Sequence, residues 1–186
     1  MLHQARGSFE RAIKIDPTDV DAMNGIAVTY FFDFINGWGE PGTDYDAKIL
    51  AQADRAINLA PDYANLYWVK AFYLALTRRA EEALGVADAG LSLNPNIPSL
   101  YHARGFAEIS SGHYEQAKAD LERAIRLSPR DPGVGFWYEN LGDAEISLGR
   151  FREAIDEYRK ALDKGLQVYF AHSNLAAAYA LAGKMD

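Results

Sequence analysis

The sequence has no cysteine and no apolar run long enough to cross a bilayer. Without cysteine, neither a disulfide framework nor a zinc site built from thiolates is available. The longest apolar stretches, such as LAAAYALAG near Leu175, are far shorter than the about 20 residues that a transmembrane helix needs. The first residues, MLHQARGSFERAIKIDP, form a charged amphipathic pattern without the apolar segment of a signal peptide. We therefore expect a soluble, cytoplasmic protein, or a soluble part of a longer one, with no membrane association.

Positive charge is in short supply. The 186 residues carry 19 Lys and Arg against 26 Asp and Glu, which gives a net charge of −7. An acidic chain is repelled by phosphate backbones and by anionic membrane surfaces. We therefore expect no nucleic-acid partner.

The sequence also lacks a recognisable catalytic or metal-binding motif. None of the four histidines, His3, His102, His113 and His172, lies within four residues of another, and we expect them to be solvated or hydrogen-bonded at the surface. No serine lies in a G-x-S-x-G motif, and carboxylates in segments such as EQAKADLER are typical of solvated i,i+4 pairs. We expect no enzymatic activity, no cofactor and no metal.

One glycine-rich segment, GWGEPG, satisfies the letters of the dinucleotide fingerprint through Gly37, Gly39 and Gly42. That fingerprint binds phosphate only between a strand and a helix. Here the segment follows a helical pattern and carries Glu40, whose charge would repel phosphate. We interpret it as a turn-rich loop that Trp38 anchors on the first helices.

What the sequence does contain is a repeated pattern of paired amphipathic helices. Pro61, Pro95 and Pro129 each end a similar helical segment and follow one another at equal intervals, and proline commonly lies just beyond a helix end. Gly149 and Gly183 are separated by the same interval. The step from Pro17 to Pro61 is longer by ten residues, which we place in the loop INGWGEPGTD.

The clearest unit is VGFWYENLGDAEISLGRFREAIDEYRKALDKGL, from Val134 to Leu166. Tyr138, Leu141 and Gly142 form one stripe, and Ala154, Tyr158 and Ala161 form the facing stripe. We expect Gly142 and Ala154 to face each other where the two helices approach most closely, and Gly149 to close the first helix.

This unit resembles the tetratricopeptide repeat (TPR), whose helix-turn-helix unit has the same length as the interval between the prolines. Glu145 departs from the family pattern, where an aromatic residue is usual, and so does Leu166, where proline is usual. A third departure is Arg104, which replaces the usual leucine beside Gly105. The resemblance implies an all-α, right-handed solenoid of about ten antiparallel helices, covering residues 1–186 as a single domain.

The periods divide the chain into six segments. The first segment is the second helix of a truncated repeat, the last is a first helix whose partner would begin at Met185, and we expect a fragment of a longer protein. The segments are 1–17, 18–61 (the repeat with the ten-residue insertion), 62–95, 96–131, 132–166 and 167–186.

A narrower resemblance lies in the phrases FFDFINGWGEP, DPGVGFWYENLGDAEISLGRFREAI and YFAHSNLAAAYALAGKMD. They are similar to the repeat regions of certain bacterial class III adenylate or guanylate cyclases and of CadC-like transcriptional regulators. This resemblance implies attachment to a signalling domain. No segment of the 186 residues resembles a cyclase domain itself.

The TPR resemblance implies a binding groove on the concave face, lined by the first helix of each repeat. Carried onto this sequence, the groove positions are Asn24, Val28, Phe31, Trp68, Phe72, His102, Phe106, Phe136, Glu139, Asn140, Asp143, Ser173, Asn174 and Ala177. The subfamily that clamps a C-terminal carboxylate needs lysine and asparagine where this chain has Trp68 and Phe72, or Glu139 and Asp143. A carboxylate clamp is therefore not expected, and the aromatic side chains either bind a partner or merely fill the groove.

The sequence thus predicts a non-catalytic module that binds a protein or peptide in its groove, with an amphipathic or basic segment as the best match. The alternative is a self-associating or regulatory module of a larger bacterial signalling protein. In that case homo-oligomers would form through the truncated repeats at the two ends.

Overall fold

The computed structural model describes residues 2–183, which form ten α-helices and no strand. This confirms the predicted all-α architecture. The helix expected to begin at Met185 lies outside the described residues. The helices are α1 (Leu2–Ile15), α2 (Val20–Asn36), α3 (Ala51–Leu59), α4 (Tyr67–Leu76), α5 (Ala80–Leu93), α6 (Pro98–Ser110), α7 (Tyr114–Leu127), α8 (Val134–Ser147), α9 (Phe151–Asp163) and α10 (Tyr169–Ala182).

The helices follow one another as a solenoid. Each helix packs against the next, and α2, α4, α6 and α8 also pack in series against one another. Each repeat therefore contacts mainly the repeats before and after it. The buried apolar residues form a series of adjacent clusters along the solenoid and not a single central core. Two short segments interrupt the regularity. A π-helical turn, Asp46–Leu50, leads directly into α3, and a 3₁₀ turn, Ala64–Leu66, precedes α4.

The helix ends follow from local chemistry. The Asp19 carboxylate accepts a hydrogen bond of 2.9 Å from the Ala22 N–H and caps α2. The same helix ends at Gly37, whose φ of +64° is accessible to glycine without a Cβ clash. Gly149 has a φ of +75° just after α8, and the next N–H, that of Arg150, donates to the Glu145 carbonyl. The expected role of Gly149 is confirmed.

The Tyr158 ring fills the contact between α8 and α9. A Cβ on Gly142 would lie 2.5 Å from Cε1 of Tyr158. That ring is fixed, because its hydroxyl donates to Oδ1 of Asp143 at 2.6 Å. Ala154 is fully buried in the same cluster as Tyr158, and its position opposite Gly142 stays a prediction.

Buried ion pairs occupy positions where the family pattern has apolar residues. Arg104 donates to both carboxylate oxygens of Asp120, at 2.5 and 2.8 Å, and to Asp88 at 2.6 Å. Asp120 is buried, so the prediction that this segment carries only solvated carboxylates is wrong there. Glu145 is also buried and accepts a 2.5 Å hydrogen bond from Lys118. Both departures from the pattern are therefore compensated by an opposite charge.

Gly142 provides a test of this packing. Alanine there would overlap the fixed Tyr158 ring, and overpacking costs about 1–3 kcal/mol, which exceeds the about 1 kcal/mol that alanine gains over glycine in helix propensity. We expect Gly142→Ala to lower the stability measured by urea unfolding. The matched control is Gly85→Ala on α5, where a Cβ meets no atom within 4 Å, so that stability should rise. Equal changes in stability for the two substitutions would contradict the close contact between Gly142 and the Tyr158 ring.

Candidate functional site: the concave face

An aromatic row crosses the first helices of three successive repeats. It consists of Phe31 on α2, Trp68 and Phe72 on α4, and Phe106 on α6. The Phe31 ring centroid lies 6.0 Å from that of Trp68 and 5.6 Å from that of Phe72, and Phe72 lies 5.7 Å from Phe106. Edge-to-face and tilted contacts of this kind are favourable because the positive edge of one ring meets the negative face of another. The row is therefore a continuous apolar strip.

Only part of this row is available to a partner. Phe31 is buried and belongs to the core cluster, whereas Trp68, Phe72 and Phe106 are half-buried and keep some ring surface accessible. Each ring thus packs against its neighbours and also borders the groove. The two alternatives left by the sequence, that these rings bind a partner or that they fill the groove, both stay predictions.

His102 extends the row inward. Its ring lies 4.5 Å from Phe72 and 5.8 Å from Trp137 between centroids, and its Nε2 is 3.3 Å from Oδ1 of Asn140. Burial lowers the pKa of His102 to about 4, so the ring is neutral near pH 7. The expectation of a surface histidine is wrong, because the His102 side chain is buried. Its hydrogen-bond partner, Asn140, lies 38 positions further along the chain, so the residues around His102 do not reveal the pair.

The row is followed on α8 by an acidic pair, Glu139 and Asp143. Nδ2 of Asn174, on α10, donates to Glu139 at 2.8 Å, and the Tyr158 hydroxyl donates to Asp143. Burial and the adjacent Asp143 charge raise the pKa of Glu139 to about 7, and burial also raises the pKa of Asp143. Two carboxyl groups one helical turn apart thus make this end of the groove acidic and hold both pKa values above their usual range.

The remaining groove residues are distributed between core and surface. Phe136, at the start of α8, is 43% exposed, which makes it the most accessible aromatic ring of the predicted set. Asn24 and Asn174 are half-buried, while Asn140 is buried. Oδ1 of Asn24 is shielded from solvent and accepts no hydrogen bond from the described residues.

The loop between α2 and α3 departs from the sequence prediction. Trp38 is 64% exposed and therefore does not anchor the loop. Tyr45 does so, because its ring lies 5.3 Å from that of Phe34 and its hydroxyl occupies the space that a side chain on Gly39 would need.

Beside Trp38, the end of α2 also exposes Phe32 and Ile35. Phe32 and Ile35 are three residues apart and share a helix face. Neither residue belongs to the predicted groove set, although the apolar segment FFDFI contained the signal: five residues with four apolar ones cannot all face one core.

No cluster of histidine and carboxylate side chains that could hold a metal ion occurs among residues 2–183. None of the helices in this part of the chain is long and apolar enough to cross a membrane. The groups that the concave face does carry are aromatic rings, amide groups and carboxylates.

Two models of the tetratricopeptide repeat family match the sequence, one over residues 69–136 and the other over residues 139–186. Together these ranges take in more than half of the chain. Superkiller complex protein 3 of Homo sapiens is 32% identical over 76 residues, which are 41% of this chain and 5% of that protein. The chain therefore spans a small fraction of the length of this relative.

Solved structures share the architecture. The TPR protein TTC0263 of Thermus thermophilus superimposes with a TM-score of 0.73 at 25% identity, over 96% of this chain and 90% of that one. The Cut9–Hcn1 tetramer of the APC/C gives a TM-score of 0.83 at 18% identity, over 96% of this chain and 33% of that one. The second likeness concerns the fold alone.

The acidic pair predicts a pH-dependent stability. Because the pKa of Glu139 is raised to about 7 in the folded state, against about 4.3 when unfolded, this group favours folding fully below about pH 4.3 and loses that contribution as the pH rises through about 7. At about 1.4 kcal/mol per pKa unit, the change is no more than about 4 kcal/mol.

We expect Glu139→Gln to raise the melting temperature at about pH 8 and to flatten its dependence between about pH 5 and pH 8. Glutamine keeps an acceptor for Asn174. The control is Glu153→Gln, at an exposed site on α9. If Glu139→Gln lowers the melting temperature equally at both pH values, the acidic pair does not carry this dependence.

Proposed function

Since the chain belongs to the tetratricopeptide repeat family, we propose that it is a non-catalytic interaction module whose concave face binds a segment of a protein partner. TPR domains generally bind proteins or peptides. The observation that carries the proposal is the aromatic row. Its half-buried rings, Trp68, Phe72 and Phe106, are not fully covered by the protein, and they leave apolar surface in the groove that also holds the acidic pair.

The chemistry of the groove favours an amphipathic, basic segment as ligand. Apolar side chains of the partner would cover Trp68, Phe72 and Phe106, while a lysine or arginine would reach Glu139 and Asp143. Burial and the Asp143 charge raise the pKa of Glu139 to about 7, and a cation there would favour the ionised carboxylate, so binding would release protons near neutral pH. Phe136, Asn24 and Asn174 would contact the segment along its length, with Phe136 as the exposed anchor.

The test begins with peptides selected from a random display library on the wild-type protein. We expect selected sequences to combine basic and large apolar residues. Trp68→Ala together with Phe106→Ala should weaken their binding by roughly tenfold or more, as loss of buried aromatic contacts does, while the helical circular dichroism stays intact. The control is Leu93→Ala, at an exposed position on α5.

Two results would contradict this proposal. A large loss of helicity in the double variant would identify the rings as core residues. Unchanged binding by Phe136→Ala and by the double variant alike would place the ligand elsewhere.

A second candidate function is self-association, and the exposed surface of α10 favours it. Tyr179 is 44% exposed, and Ala176 and Ala180, one turn apart, are exposed beside it. Together with the sequence resemblance to cyclase repeat regions, this surface supports the alternative of a self-associating or regulatory part of a larger signalling protein. The cytoplasmic location expected from the sequence stays a prediction.

Self-association has its own test. Light scattering across a concentration series should show dimers or longer species for the wild-type chain. Ala176→Glu with Ala180→Glu should shift the distribution to monomer without a change in melting temperature, because both positions are exposed. A wild-type chain that is monomeric at the highest concentration would exclude this function for residues 1–186.

A further inference from the structure

A second groove, of about 470 Å³, lies on the other side of α2. Its walls are α1 on one side and the π-helical turn with α3 on the other, and Ile26 and Tyr30 of α2 form its floor. At 3.6 residues per turn, Ile26 and Tyr30 point roughly opposite to Asn24, Val28 and Phe31. This groove is therefore separate from the concave face.

Three cationic side chains line it: Lys14 on α1, Lys48 in the π-helical turn and Arg55 on α3. All three residues are exposed, and Glu10 is the one carboxylate among the described lining residues. None of the three cations forms an ion pair with a residue of the described range 2–183. Nζ of Lys48 lies 5.5 Å from the Tyr30 ring centroid, and Arg55 donates to the Pro17 carbonyl at 2.7 Å. A chain with a net charge of −7 thus concentrates positive charge at one place.

The next two repeats carry a cation at the position equivalent to Ile26. Lys70 follows Ile26 by one repeat, counting the ten-residue insertion, and Arg104 follows Lys70 by one regular repeat. Lys70 pairs with Asp54 of α3 at 2.5 Å, and Arg104 pairs with Asp88 of α5 at 2.6 Å. In those repeats the cation on the first helix is neutralised by a carboxylate on the preceding second helix. In this second groove the floor is apolar Ile26, and the cations on the walls have no such partner within the described part of the chain.

The same groove contains the main backbone irregularity of the described residues. The π-helical turn Asp46–Leu50 supplies Ala47 and Lys48 to its wall, and the ten-residue insertion leads into that turn. Single π-helical turns occur frequently at functional sites, because the wider turn redirects side chains that a regular helix would align. On α3, Oε1 of Gln52 is shielded from solvent and accepts no hydrogen bond from residues 2–183.

We propose that this basic groove binds an acidic, extended segment of a protein partner. Carboxylates of the segment would pair with Lys14, Lys48 and Arg55, which gain a counter-ion without losing an existing one. The apolar floor, formed by Ile26 and Tyr30, would accept an aliphatic side chain of the segment. The module then has two binding faces of opposite charge preference, one for a basic segment and one for an acidic segment.

The probe is a fluorescein-labelled hexaglutamate peptide, followed by fluorescence anisotropy at low ionic strength. Wild-type protein should bind it, and binding should weaken as salt screens the charges. Lys14→Glu with Lys48→Glu should weaken binding by roughly tenfold, because two attractions become repulsions. Glu10→Gln should strengthen it by roughly two- to threefold, because the one opposing charge is removed. Arg55 is left in place, since it also holds the Pro17 carbonyl.

The matched control reverses two exposed cations elsewhere, Arg130→Glu with Lys164→Glu, with the same change in net charge. Equal weakening in both double variants would show a non-specific charge effect and overturn the proposal. Equally tight binding of a labelled hexalysine peptide, or full displacement by inorganic phosphate at matched charge, would overturn it as well.

Two further variants keep the result interpretable. If circular dichroism shows that the charge reversal unfolds α1, the pair Lys14→Gln and Lys48→Gln replaces it, and unchanged binding by that pair contradicts the site. Trp68→Ala with Phe106→Ala should leave hexaglutamate binding unchanged, which separates this groove from the concave face.

Discussion

The close contact between a small residue on one helix and a large side chain on the next sets the spacing of the whole structure. Gly25 contacts the Phe9 ring, Gly105 contacts Leu121, and Gly142 contacts Tyr158, each so tightly that a Cβ would lie under 3.0 Å from its neighbour. The helices therefore approach closely enough to bury their apolar stripes, which no single helix could do alone. Each of these contacts joins two consecutive helices, so the concave face is built from the first helix of each repeat in turn. The polarity of its side chains can therefore change from one repeat to the next.

That change explains why the groove is apolar at one end and acidic at the other. Between α2 and α6 the groove positions carry aromatic rings that pack edge to face across repeats. On α8 the equivalent positions carry Glu139 and Asp143, which are stabilised by donors from α9 and α10. A buried carboxyl group with few donors keeps its proton more readily than one in water. The acidic end is thus held at a free-energy cost that a partner's cation would reduce.

The sequence predicted the repeats well because their signals are local. The prolines that end successive helices and the left-handed glycine Gly149 each depend on a few neighbouring residues. The errors concern which side chains pack against one another, within a repeat or between repeats. The burial of His102 depends on Asn140 and Trp137, and the exposure of Trp38 depends on Tyr45 filling the space near Gly39. Periodicity assigns a residue to a helix face, but it does not identify which side chain of the next repeat covers that face.

Charged side chains have different consequences within the stack of repeats and at the basic groove. Arg104 and Glu145 place charges at usually apolar positions, and each is neutralised by a neighbour, so these positions stabilise the stack. At the basic groove the reverse holds, because Ile26 follows an apolar pattern while the surrounding Lys14 and Lys48 have no carboxylate partner in the described chain. A charge that the fold neutralises contributes to the fold, whereas exposed charges of one sign around an apolar floor are available to another molecule. This difference, and not the presence of charge as such, distinguishes the basic groove from the other repeats.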